Sequence, residues 1–142
     1  MSNEMKTTVK VSVVMCTYNG KQFLRQQMDS ILAQSYPLHE IIVQDDQSTD
    51  DTWDILESYR QAHPGLVKIH RNVERLGFNR NFHTALMRAT GDVIAISDQD
   101  DIWFANKISR QVDIIGNADV CFSDYYTDDT YHLPLQAYVS PR

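Results

Sequence analysis

Five short apolar runs rich in β-branched residues alternate along this chain with four segments whose apolar residues recur at helical spacing. No other feature restricts the fold as much. Strands joined through helices lie parallel and pack between helical layers. Residues 9–16 make the first run. Residues 21–35 read as an amphipathic helix with Phe23, Leu24, Met28, Ile31 and Leu32 on one face and Pro37 as its stop. Ile41, Ile42 and Val43 centre a second strand over residues 40–44. A second helix starts with Ser48 or Thr49 as N-cap and acids in its first turn. It carries Trp53, Ile55, Leu56 and Tyr59 and stops near Pro64 and Gly65. Residues 66–70 are a third strand. Residues 79–90 are a third helix, with Phe82, Ala85, Leu86 and Ala89 inward and Gly91 as its cap. Residues 93–96 are a fourth strand, residues 103–115 a helix built on Ile108, Val112 and Ile115, and residues 119–123 a fifth strand. The expected architecture is a three-layer α/β/α domain over residues 9–124, with a mostly parallel sheet and right-handed crossovers. Residues 1–8 read as a flexible tail. Residues 125–142 show no clear period and read as an incomplete continuation of the same domain.

In open sheets of this kind, ligands bind beyond the carboxyl ends of the strands. Polar clusters follow three of the expected strands: Thr17, Tyr18 and Asn19; Asp45 and Asp46; and Asp98, Asp100 and Asp101. The third cluster sets three carboxylates in four residues, and their mutual repulsion raises the cost of keeping all of them ionised. A divalent cation removes that cost, and hard oxygen ligands suit Mg²⁺ or Mn²⁺. The same spelling also serves a polar turn whose Asp caps the next helix, and βα loops are polar in every α/β protein. On the residues alone both readings stand. Taken together, a Tyr ring can stack on a base, an Asp can accept a base N–H, and a metal at Asp98 and Asp100 can neutralise a diphosphate. That combination describes a nucleoside-diphosphate site whose metal stabilises a leaving diphosphate.

Other chemistries lack their marks. There is no glycine-rich dinucleotide or P-loop signature, no nucleophile elbow, and no ligand spacing among the five histidines. The net charge of -6, without a Lys/Arg run, argues against nucleic acid as a partner. No apolar stretch approaches the ~20 residues of a membrane span. Cys16 and Cys121 lie far apart in apolar contexts and read as reduced, buried small residues. A cytoplasmic location is expected, with membrane-surface association of a longer protein left open.

The segments VSVVMCTYNG, EIIVQDDQSTDDT, RLGFNRNFHTAL and SDQDDIW, in this order, resemble the family 2 glycosyltransferases, which have the GT-A fold. The resemblance implies an inverting enzyme with a nucleotide-sugar donor (UDP- or dTDP-linked), Mn²⁺ or Mg²⁺, and a saccharide or lipid-linked saccharide acceptor. By this resemblance Asp46 matches the acid that binds the uracil or thymine N–H, and Tyr18, with Thr17 and Asn19 beside it, matches the first loop that packs on the base. Asp45 supports that loop. Asp98 and Asp100 match the D-x-D, Asp100 in direct metal contact and Asp98 nearer the ribose or sugar. Arg75 and Arg80 are candidates to reach phosphate. The spelling SDQDDIW is similar to bacterial cell-surface polysaccharide enzymes, rhamnosyltransferases among them. After Trp103, however, Ala105 and Asn106 replace the Pro and Asp that the family often has before its Lys. The family's general base, an Asp of a later pair, has no match here, since Asp128 and Asp129 come too early. The resemblance therefore implies the donor-binding half of an enzyme, truncated at the C-terminus, with the base beyond residue 142.

Plainer roles stand beside these. Asp46 could serve as a helix N-terminal acid, Tyr18 as turn packing, Asp101 as a helix cap, and Trp103 as core or site wall. At the level of function, the alternatives are a non-catalytic nucleotide-binding module and a plain α/β interaction domain.

Overall fold

The structure is a computed structural model that describes residues 8–126 and the backbone of residues 137–139. Four parallel strands form the main sheet in the order β3-β2-β1-β4: β1 (Val11–Thr17), β2 (Glu40–Asp45), β3 (Val67–Arg71) and β4 (Val93–Ser97). Between them run α1 (Leu24–Leu32), α2 (Thr52–Ala62) and α3 (Phe78–Leu86), and α4 (Lys107–Ile115) follows β4. β5 (Cys121–Ser123) pairs antiparallel with β6 (Ala137–Val139) in a separate two-stranded sheet.

The alternation of side chains along β1 sorts the two faces. Val11, Val13 and Met15 face one layer with Ile41 and Val43 of β2, under Leu24, Met28 and Ile31 of α1, Ile55 and Leu56 of α2, and Ile108 of α4. Val14 and Ile42 face the other layer, under Ala85 of α3 with Leu86 and Ala89. Helices on both faces make the strands near-continuous apolar runs, which is the pattern the sequence shows. The expected three-layer α/β/α architecture is thus the observed one.

The termini of the sheet explain several departures from expectation. At the amino end, Glu40 is fully buried and saturated. Its carboxylate accepts from Ser12 Oγ at 2.7 Å, Thr90 N at 2.7 Å and Thr90 Oγ1 at 2.9 Å, and Lys68 Nζ lies 2.6 Å away. Burial alone would raise its pKa, but Lys68, Ser12 and Thr90 outweigh burial and hold it down at about 2. Gly91 belongs to this latch and does not cap α3, which ends at Leu86 with Met87 as its C-cap. A Cβ on Gly91 would lie 2.7 Å from the Lys10 carbonyl oxygen and 2.9 Å from Ser12 N, so the glycine is there for close approach of two backbones.

Helix ends are shorter than their apolar patterns because neighbouring elements take the flanking residues. Ser35 N donates to Ala105 O, and His39 N donates to Val11 O, so the chain leaves α1 well before Pro37. Ser48 caps nothing: its amide and hydroxyl both donate to Asp45. Asp51 occupies the N-cap position of α2 without a side-chain capping bond, its carboxylate pairing instead with Lys21 Nζ at 3.0 Å, and Asp50 accepts from Thr52 N at 2.9 Å. Asp101 does not cap α4, which begins six residues later behind Asn106. Trp103 lies in the core. Cys16 and Cys121 are free but only half-buried, since each sits at the carboxyl end or margin of a layer. Among the described residues no helix is long and apolar enough to cross a membrane.

Candidate active site

β1 has β2 on one side and β4 on the other, so the chain's course across the sheet reverses between β1 and β4. Ligands bind at such a switch point. A cavity of about 540 Å³ opens there, lined by Cys16, Thr17 and Tyr18 at the end of β1, Asp46 after β2, Arg75 ahead of α3 and Phe78, Asn81 and Phe82 in its first turns, and Asp98, Gln99 and Asp100 after β4. Of the residues singled out from sequence, Thr17, Tyr18, Asp46, Arg75, Asp98 and Asp100 all converge on this cavity. Asn19 does not line it. Asn19 has a positive φ of 48°, and its Oδ1 accepts from Thr49 N at 2.7 Å, which ties the first loop to the second.

Asp45 and Asp46 divide the labour after β2. Asp45 is fully buried and supports the loops, accepting from Thr17 Oγ1 at 2.8 Å and from Ser48, with Arg71 Nε 3.4 Å away. Asp46 is 4% exposed and faces the cavity. Its Oδ1 accepts from Leu76 N at 2.7 Å and Asn72 Nδ2 at 2.8 Å, and its Oδ2 accepts from Gly77 N at 2.9 Å. Burial would raise its pKa; the Leu76 amide, Asn72, the Gly77 amide and the charge of Arg75 prevail and hold it below the ordinary carboxylate range. Asp46 is therefore a fixed anion that still presents acceptor capacity to the cavity. Behind it, Asn72 also donates to Asn81 Oδ1 at 2.7 Å and accepts from Gln44 Nε2 at 2.7 Å, while Asn81 donates to the Gln44 carbonyl. The guanidinium carbon of Arg75 sits 3.8 Å from the centroid of the Tyr18 ring, a cation–π contact on the cavity wall.

The acid-bearing loop after β4 is held from below. Gln27 of α1 is fully buried. Its amide, oriented by the network, accepts from Trp103 Nε1 at 3.1 Å and Ser97 Oγ at 2.6 Å, and donates to Ser30 Oγ at 2.9 Å and to the Asp101 carbonyl. The carboxylates above this anchor are exposed, and no hydrogen bond or ion pair engages those of Asp98 and Asp100 among the described residues. Burial, followed by the charges of Asp98 and Asp100, raises the pKa of Asp101. Burial, with Asp46 and Asp98, pushes the Cys16 thiol on the cavity wall up to about 12. The mouth is therefore rich in negative charge, offset in part by Arg75 on the wall and by Lys107 near Asp101. Its donor set of two exposed carboxylates, with the remaining positions open to a ligand's oxygens, fits a hard divalent cation. No group of three or more His, Cys, Asp or Glu poised for a metal occurs among the described residues, so a cation here would share its ligands with a substrate.

Sequence reasoning missed Gln27, Gln44, Asn72, Asn81 and Gln99. The available signal was position: Gln44 interrupts an apolar strand, and Asn81 and Gln27 fall on inward helix faces, where a polar group must find partners.

A parallel sheet in the order β3-β2-β1-β4 with acids at its switch point places the fold among the GT-A glycosyltransferases. The chain belongs to glycosyl transferase family 2, whose profile matches residues 12–137. Among solved structures it is similar to S. aureus TarS 1–349 in complex with UDP, with TM-score 0.68 and 28% identity, over 76% of this chain and 32% of that one. It is also similar to the mannosyltransferase PcManGT from Pyrobaculum calidifontis in complex with GDP-Man and Mn²⁺, with TM-score 0.69 and 31% identity, over 75% and 32% of the two chains. Among curated relatives, the Escherichia coli UDP-Glc:α-D-GlcNAc-diphosphoundecaprenol β-1,3-glucosyltransferase WfaP is 36% identical over 85% of this chain and 48% of its own length. The Shigella flexneri dTDP-rhamnosyl transferase RfbG is 35% identical over 77% and 39%. The chain spans about a third to a half of the length of the curated relatives it matches.

Proposed function

We propose that this chain is the nucleotide-sugar-binding part of an inverting glycosyltransferase that moves a sugar from a UDP- or dTDP-linked donor to a hydroxyl of a saccharide or lipid-linked saccharide, in cell-surface polysaccharide synthesis on the cytoplasmic side of a membrane. The observation that carries this reading is the convergence of Tyr18, Asp46, Asp98 and Asp100, from three separate strand ends, on one cavity. The names of WfaP and RfbG support the donor and acceptor classes.

In this reading the base stacks against Tyr18, and Asp46, fixed as an anion, accepts its N–H. Arg75, already over the Tyr18 ring, lies within the same wall and supplies positive charge toward the nucleotide. Asp98 and Asp100 hold Mn²⁺ or Mg²⁺, with Asp98 also near the ribose or sugar. The cation, when bound, neutralises charge on the departing diphosphate. Phe78 and Phe82, in edge contact at 4.9 Å, form an apolar side of the cavity.

Calorimetric titration with UDP and dTDP, with and without Mn²⁺, on the wild type and on Asp100→Ala, tests the reading. Metal-dependent binding that Asp100→Ala abolishes is expected. Binding that is indifferent to Mn²⁺ and to Asp100 removes the metal from the proposal, and no binding to either nucleotide by the folded chain removes the donor site.

A further inference from the structure

Gln99, between the two proposed metal-binding acids, has no part in the reading above, yet it links two walls of the cavity. Tyr18 N donates to Gln99 Oε1 at 3.0 Å, and Gln99 Nε2 donates to the Tyr18 carbonyl at 3.1 Å. One side-chain amide thus takes both polar groups of a residue 81 positions away in sequence. Tyr18 needs such a partner. The ladder from β1 to β2 ends with Thr17 opposite Asp45, so Tyr18 is the first residue beyond it.

Gly20 gives an independent sign of the same clasp. A Cβ at position 20 would lie 2.3 Å from Gln99 Oε1 and 2.7 Å from its Cδ. The glycines with positive φ are Gly65, Gly77 and Gly116, so Gly20 is not demanded by its own backbone. It is the room that Gln99 occupies. The side-chain chemistry is equally particular. An amide both donates and accepts at this reach, whereas a carboxylate would face the Tyr18 carbonyl oxygen with a second acceptor and add charge to a loop that already carries Asp98, Asp100 and Asp101.

The geometry points to Gln99 as a positioning residue that ties the ring of Tyr18 to the acid-bearing loop, so that the base-stacking face and the carboxylates that serve the diphosphate keep a set separation. This inference rests on the nucleotide reading of the site for its purpose, though not for the clasp itself.

The test uses Gln99→Ala, Gln99→Glu, Gly20→Ala and the Gln99→Ala/Gly20→Ala pair. It reads hydrogen exchange at the Tyr18 amide, and titrations with UDP and with pyrophosphate, both in Mn²⁺. Two net hydrogen bonds lost from the loop should speed Tyr18 exchange and weaken UDP by about tenfold in Gln99→Ala. Pyrophosphate, which does not touch the stacking face, should stay within about twofold. Gln99→Glu, which keeps an acceptor for the Tyr18 amide but sets a second oxygen against the Tyr18 carbonyl, should weaken UDP like Gln99→Ala while slowing Tyr18 exchange relative to it. Gly20→Ala should weaken UDP when Gln99 is present and add nothing when it is absent, because the clash has gone. Unchanged Tyr18 exchange in Gln99→Ala overturns the clasp whatever the ligands do. Parallel losses of UDP and pyrophosphate, or additive effects of the two substitutions, overturn the positioning role. A wild type that binds neither ligand refutes the nucleotide reading and with it the purpose assigned to Gln99, while the exchange data still decide the contact.

Discussion

Replacing Glu40 by Gln removes a buried carboxylate at the amino end of the sheet and leaves its cavity filled. The size of the effect follows from its surroundings. Glu40 accepts three hydrogen bonds from Ser12 and Thr90 and pairs with Lys68, and its pKa falls from an ordinary 4.5 to about 2. That displacement corresponds to about 3 kcal/mol of stability at neutral pH. Lys68 is 46% exposed, so solvent screens its share and the expectation is about 2 kcal/mol. The sign is set by the direction of the shift. A carboxyl group more acidic in the fold than in the unfolded chain stabilises fully above its unfolded value, and the gain is lost as pH falls from about 4.5 towards about 2. Urea unfolding of wild type and Glu40→Gln, followed by circular dichroism at steps from pH 7 to pH 2.5, should show a gap of about 2 kcal/mol that narrows below pH 4.5. Two curves that stay parallel through that range would refute the reasoning, since the carboxylate charge would then contribute nothing.

Two further outcomes follow from other buried groups. Gln27→Leu strands Trp103 Nε1 and the Asp101 carbonyl and leaves Ser97 Oγ only its bond to the Asp98 carbonyl; it should lower the melting temperature by about 10 °C, from a loss of about 2 kcal/mol; a change within about 2 °C would show that the amide network is dispensable. Cys16, with its thiol at about 12, is almost wholly protonated at pH 8, so in a Cys121→Ala background iodoacetamide should label the folded chain more than a hundredfold more slowly than a free thiol. Stoichiometric labelling within minutes would contradict the burial and the two neighbouring carboxylates held responsible.

The strands were legible because helices cover both faces of the sheet, which makes Ile41, Ile42 and Val43 a plain apolar run with no alternation to misread. The site was legible for a different reason: acids such as Asp46, Asp98 and Asp100 stand at the ends of such runs, where the sheet brings them together. The helix ends were not legible. Ser48 has the right identity for a cap, but Asp45 takes its hydroxyl, and Gly91 looks like a helix stop while its real constraint is the Lys10 backbone. Both facts arise between elements distant in sequence. The partners of the side-chain amides were not legible for a related reason. Gln27 sits on an inward helix face, but its partner Ser97 is 70 residues away; Gln99 acts on Tyr18, 81 residues away, and nothing local distinguishes it from the solvated glutamines of the same chain.

Glu40, at the amino end of β2, and the pair Asp98 and Asp100, beyond β4, stand at opposite ends of the same sheet; Glu40 is level with Ile94, so Asp98 lies at least about 13 Å further along at the usual rise per residue. One group of acids is saturated and closed to solvent; the other is open and holds no bond among the described residues. Changes so far apart combine additively. A lineage carrying this frame is thus free to rewrite the mouth by substitutions that leave folding untouched. Variation at the amino end has no such freedom, because any change there is felt first as lost stability.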